Sequence, residues 1–400
     1  MTSRAFWIVV VFAAASAARA GELEVTAIQP VRSLSAWKAN VKVAAVSPSD
    51  HHSMHAYFNT SPESPDGRWI LYYASTTADS HDGEIRIRER ATGKETVLAR
   101  DVSCEDAHRA ACQQWVSGGR RVVFHNVLKS GEWVVTCVDV ATGKDRLLAR
   151  GRQLGFGQPT GDLVPIYGPH WKPGDHRGLE LLNVATGKIE PTGLTPEVVR
   201  KAYPDWVNKT VGEKPFSLFF PLLSPDRSRI IFKIATPAGG DFRSKLASVR
   251  TGLFIYDLQN AKFLHQHDKW GHPAWHPNSR DFINAGGVLT NTDTEKATRI
   301  PNYRIYSGDH PSYSPDGKLY TTDTTADREP FNGVKGIWAV VVGEIDTGES
   351  VVIKKFDNSK GARSWRVSHP HPSFSPDGRR LYFNVSDGPW TRLYVAEVSR

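Results

Sequence analysis

Ser64-Pro65-Asp66-Gly67-Arg68-Trp69-Ile70-Leu71-Tyr72-Tyr73 decides how this chain is read. Proline fixes φ, aspartate bonds the turn backbone and glycine supplies positive φ. The aromatic and branched residues that follow favour pleated sheet. The turn recurs as Ser224-Pro225-Asp226, Ser314-Pro315-Asp316-Gly317 and Ser375-Pro376-Asp377-Gly378. Degenerate copies stand at Ser117-Gly118-Gly119, Pro159-Thr160-Gly161-Asp162 and His276-Pro277-Asn278-Ser279. Strand-like runs follow, such as Val122-Val123-Phe124, Ile230-Ile231-Phe232 and Leu381-Tyr382-Phe383, and then a second turn such as Ala141-Thr142-Gly143-Lys144. Turn, strand, turn, strand at intervals of about 40 to 60 residues is the mark of a β-propeller blade. The copies between Ala56 and Arg400 predict an all-β, seven-bladed β-propeller. Residues 21 to 50 are expected to add a strand that closes the ring with the last blade. Only Pro196 to Val211 looks helical, as an insertion between blades.

The 400 residues, 40% apolar and 10% aromatic, can bury a large core and are too rich in rings for a disordered chain. Three cysteines exclude a disulfide scaffold and a multi-cysteine zinc module. Cys104 and Cys112 are open to two readings, a disulfide or buried thiols. Arg4, the apolar run Phe6 to Ala15 and Ala18-Arg19-Ala20 predict a secretory signal peptide over 1–20, with the propeller over 21–400. No later apolar run is long enough to span a bilayer. A secreted or periplasmic protein is expected, as a monomer or homodimer. Its formal charge of +8 points to an acidic partner such as a polyuronate or sulfated glycan. No basic tract suggests nucleic acid.

Three histidine phrases stand just ahead of repeat turns: Gly271-His272-Pro273-Ala274-Trp275, Gly308-Asp309-His310-Pro311-Ser312-Tyr313 and Ser368-His369-Pro370-His371-Pro372-Ser373-Phe374. In a propeller, residues ahead of the innermost strand line one mouth of the channel. Recurrence at one phase in three successive blades would bring His272, His310, His369 and His371 together. His-x-His on an extended segment puts both rings on one side. A divalent metal site is expected there, with Mn²⁺ or Zn²⁺ suiting imidazole donors.

The segment Arg366-Val367-Ser368-His369-Pro370-His371-Pro372-Ser373-Phe374-Ser375-Pro376-Asp377 resembles the last-blade motif of the oligogalacturonate lyases. Those are seven-bladed propellers that cut short pectic uronates by β-elimination with a Mn²⁺-like metal. The resemblance is strong over roughly 220 to 400 and weak before that. It implies His310, His369 and His371 as metal ligands, His272 as the base and Arg250 as a substrate-binding residue. One position departs: the family's additional glutamine ligand is replaced by Arg366, whose guanidinium cannot ligate a cation. Arg366 is expected to bind a substrate carboxylate or sulfate instead.

The first half holds a second constellation: His108, His125 at a strand end, Tyr167 at the corresponding end one blade on, and Arg177 on the loop beyond. Its order resembles that of the propeller ulvan lyases, which work with paired His, a Tyr and an Arg from early blades. β-Elimination at a uronate needs a neutralised carboxylate, a base for the C5 proton and an acid for the leaving oxygen. Two arrangements meet that need. In one, a metal and His272 act. In the other, Arg177 or Arg250 neutralises the acid while His108 or His125 and Tyr167 move protons. The alternative to a lyase is a TolB-like periplasmic propeller that binds a protein or glycan without catalysis.

Overall fold

The computed structural model describes residues 33–77, 80–104, 108–240, 243, 246–303, 310–325, 336–358, 361 and 368–399. The expected leader over 1–20 and Arg366 lie outside them. Seven four-stranded antiparallel sheets form a seven-bladed β-propeller. Six blades are continuous in sequence, over 52–103, 114–150, 153–191, 217–267, 274–299 and 312–357. The seventh takes three strands from 373–398 and its outermost strand from Val41–Ala45. That strand pairs antiparallel with Arg392–Val398, from Val41 opposite Val398 to Ala45 opposite Tyr394. The first part of the chain thus closes the ring, as its position predicts.

The repeated turn works by one mechanism in blades 1, 4, 6 and 7. The Ser314 hydroxyl donates to Asp316 at 2.6 Å and accepts from Leu319 N at 2.9 Å. Ser375 does the same with Asp377 and Arg380 N, at 2.6 and 3.0 Å. Ser224 repeats it with Asp226 and Arg229 N, at 2.8 and 2.9 Å. The fourth turn residue needs positive φ, at 71°, 73° and 68° for Gly67, Gly317 and Gly378. In the copy without glycine, Arg227 is held at 62°, where an L-residue costs about 1 kcal/mol.

Among the described residues, three α-helices stand outside the blades. Helices α2 (Pro196–Ala202) and α3 (Pro204–Thr210) form the insertion between blades 3 and 4, each started by a proline. Thr195 caps the first, accepting from Val198 N. Helix α1 (Leu34–Ala39) lies where the sequence suggests only a strand. It buries Leu34 and Trp37, the latter edge-on to Phe374 of blade 7 at 5.7 Å.

A buried ion pair adds to the closing seam. Glu63 accepts from Arg380 Nε at 2.7 Å and from the Tyr382 hydroxyl at 2.5 Å. Along the axis, rings of Tyr57, Phe58, Phe156 and Phe220 pack at centroid distances from 4.5 to 5.7 Å. On one side of this plug, a cavity of about 440 Å³ is rimmed by the repeat turns, Pro225, Pro277, Pro315 and Pro376 among them. On the other side lies the mouth that the histidines approach.

Candidate active site at the histidine mouth

Three successive blades set a histidine two residues ahead of the inner strand. His272 precedes Ala274–Trp275, His310 precedes Ser312–Tyr313 and His371 precedes Ser373–Phe374. Equal phase in a ring gives equal height, so the three rings converge. His310 lies 4.4 Å from His272 and 4.3 Å from His371, centroid to centroid. His369 joins at 5.2 Å from His310. The His369–His371 segment is not extended: His371 has φ 48°, and this left-handed residue turns its ring inward. His108, entering from ahead of blade 2, completes the group at 4.6 Å from His369 and 5.5 Å from His371.

Donor nitrogens of His310, His369 and His371 lie within 4.8 Å of one another. His310 Nδ1 sits 3.0 Å from both oxygens of Asp323, which is fully buried. With a carboxylate as partner, Nδ1 donates its proton and Nε2 keeps its lone pair. Asp323 also accepts from His371 N at 3.0 Å, so one acid aligns two of the three histidines. Both ring nitrogens of His371, and Nδ1 of His369, are buried without a hydrogen-bond partner among the described residues. Burial pushes His310 and His371 well below the usual histidine value, with neighbouring imidazoles adding to it. Burial and then the His108 charge bring His369 down to about 3. Neutral imidazoles with unused lone pairs, no thiolate among them and a carboxylate behind fit a nitrogen-preferring divalent cation.

The mouth opens into a cavity of about 250 Å³. Its imidazoles are His108, His272, His310 and His369. Facing them are three cations, Arg109, Lys233 and Arg250, with Trp270 on the rim. Arg250 lies over the ring of Phe219 at 4.9 Å, and Arg109 over Phe220 at 5.4 Å. None of the described side chains lining the cavity is acidic. Such a concentration of positive charge and polarisable N–H groups favours an anionic ligand.

The early-blade quartet divides. His108 lines the cavity, whereas His125, Tyr167 and Arg177 do not. His125 and Tyr167 sit on second strands, one layer out from the axis, and are fully buried. Leu154 N donates to His125 Nδ1 at 3.2 Å, and Trp133 meets its ring edge-on at 5.1 Å. The Tyr167 hydroxyl accepts from Arg109 at 2.7 Å, steadying a residue that does line the site. Arg177 points to the helical insertion, where it pairs with Glu197 of α2 at 3.2 Å. Arg366 lies outside the described residues.

Asp323, Lys233, Arg109 and Trp270 are absent from the sequence-based expectation. Two carry a readable signal. Asp323 and Lys233 each fall nine residues after the serine of a repeat turn, Ser314 and Ser224. Each interrupts a strand whose other residues are mostly buried. A charged residue inside a buried strand, at one phase in two blades, marks a second polar ring behind the mouth.

No family model matches the chain, and no curated protein matches it in sequence. Solved structures match its fold. An oligogalacturonate lyase in complex with manganese superposes with a TM-score of 0.61 at 17% identity, over 90% of this chain and 93% of that one. The oligogalacturonate lyase of Vibrio parahaemolyticus gives 0.61 at 16%, over 90% and 95%. The β-propeller domain of the trilobed protease of Pyrococcus furiosus gives 0.54 at 8%, over 88% and 96%. The chain shares its fold with oligogalacturonate lyases, and also with a propeller domain of a protease.

Proposed function

We propose that this protein is an exported lyase that cleaves a uronate-containing glycan by β-elimination at the histidine mouth. One observation carries the reading: imidazoles from three late blades and from the loop before blade 2 meet three cations in one cavity, with no acid among the described lining residues. The fold likeness to two oligogalacturonate lyases supports it.

The roles follow from chemistry and position. Arg250 stays charged at any working pH and pairs with the uronate carboxylate. His272, on the rim between Trp270 and His310, is the base that takes the C5 proton. His108, on the other side of His310 and His369, returns a proton to the leaving oxygen. His310, His369 and His371 hold a divalent ion, Mn²⁺ or Zn²⁺, which when bound draws negative charge from the uronate carboxylate. Asp323 fixes the tautomer of His310 and the backbone of His371. The two sequence-level constellations merge, since His108 of one lines the same cavity as His272 of the other.

The test is ultraviolet absorbance of the 4,5-unsaturated product with polygalacturonate, oligogalacturonates and ulvan, before and after chelation. The reading expects product on at least one of them, lost on chelation. Absence of product on all would favour a binding propeller.

A further inference from the structure

Lys233 is a lysine where a lysine has no structural use. It stands in the second strand of blade 4 (Arg229–Pro237), within Ile230-Ile231-Phe232-Lys233-Ile234, and is 2% exposed. Its ammonium lies over Trp270 at 4.5 Å and over Phe220 at 4.6 Å. It makes no ion pair and no hydrogen bond among the described residues. Its charged neighbours, Arg250 and Arg109, have its own sign. Burial, and then these two guanidiniums, push its pKa well below the usual lysine value. A buried ammonium without a counter-ion destabilises a fold, and an apolar side chain of equal length would fill the space better. Among the described residues, Lys233 helps to line the cavity. The compensating charge therefore comes from what enters it.

We propose that Lys233 is an anion receptor of this cavity, its ammonium framed by two aromatic faces to meet an oxyanion of a bound sugar, with Arg109 and Arg250 beside it. The proposal deepens the glycan-lyase reading and rests on it only for the sugar. Carboxylate and sulfate ester offer the same chemistry to an ammonium, and the probes below separate them. Arg109 is steadied by Tyr167 and Arg250 by Phe219, so both approach pre-organised.

The test uses the full chain with chelator present, so that a metal-bound carboxylate does not mask the cations. Galacturonate, galactose 6-sulfate and galactose are titrated calorimetrically into wild type and Lys233→Met, and the melting temperature of each unliganded protein is measured. The proposal expects an acidic sugar to bind wild type and to lose about tenfold or more in Lys233→Met. Galactose should be indifferent to the substitution, and the unliganded variant should melt no lower than wild type. The acid that loses more names the oxyanion. Acidic-sugar affinity unchanged within about twofold, well under the loss expected for a charged hydrogen bond, would overturn the proposal. So would a wild type that binds neither acid, or a variant that melts lower and loses acidic and neutral sugars alike. Lys233-dependent binding, with no unsaturated product from any uronic glycan in a separate assay with Mn²⁺ or Zn²⁺ supplied, would sink the lyase reading and leave this one standing. Product formed equally by both proteins would do the reverse.

Discussion

Blades 5 to 7 and blades 2 to 3 carry comparable sets of polar residues and handle them differently. In the late blades the histidines sit ahead of the inner strand, and four rings meet at the mouth. In the early blades His125 and Tyr167 sit on second strands, where neighbouring blades enclose them. Among these histidines and Tyr167, a place ahead of an inner strand, not order along the chain, separates the rings at the mouth from those enclosed between blades. His108 makes the point from the other side: it precedes an inner strand and joins the late histidines.

The largest expected contrast is between His371→Asn and His125→Asn. Asparagine tolerates the positive φ of His371, which separates loss of the imidazole from backbone strain. Activity should fall by about 10³-fold or more, the scale of removing a metal that neutralises developing charge, and bound metal measured by mass spectrometry should vanish. His125→Asn should lower the melting temperature and leave kcat/KM of the folded fraction within a few-fold. Inverted results would return the chemistry to the early blades.

Next is the arginine pair. Arg250→Ala should cost about 10²-fold in kcat/KM, as for a charged group that stabilises developing negative charge. Arg177→Ala, whose side chain pairs with Glu197 at the surface, should stay within about twofold, since an exposed pair contributes about 1 kcal/mol or less. Asp323→Asn should weaken metal binding by about 10- to 100-fold, because the ring it orients would lose its fixed tautomer. Competition with a chromogenic chelator reads this directly.

The smallest effect concerns acid stability away from the mouth. Burial, and then the neighbouring His265, depress His267 to about 4. Below about pH 6.5 the unfolded chain binds a proton there that the folded chain refuses. Stability from this group is therefore present at neutral pH and lost as pH falls from about 6.5 towards 4. His267→Gln should flatten that limb by on the order of 1 kcal/mol, discounted for partial exposure. Urea unfolding at pH 7 and pH 5 checks it.

The fold was legible because four blades repeat one local device, a serine–aspartate turn whose bonds lie within six residues, and the other three keep a degenerate turn at the same place. The closing strand was legible as the segment left over ahead of the first blade. Helix α1 was not, since six residues carry too little periodicity to register. Late histidines were legible by phase. Asp323 and Lys233 were missed because each looks like noise in a strand until the ring is closed and its second layer faces the cavity. Arg109 and Trp270 follow no repeat phase and needed the fold to bring them in.

The central claim is that the histidine mouth removes a proton from an acidic sugar. Absorbance of unsaturated uronate formed from a polyuronate by wild type and by His272→Ala tests it most directly. Product accumulating with wild type and not with the variant is the expected result. No product from wild type on any uronic glycan, or equal rates from both proteins, would contradict it.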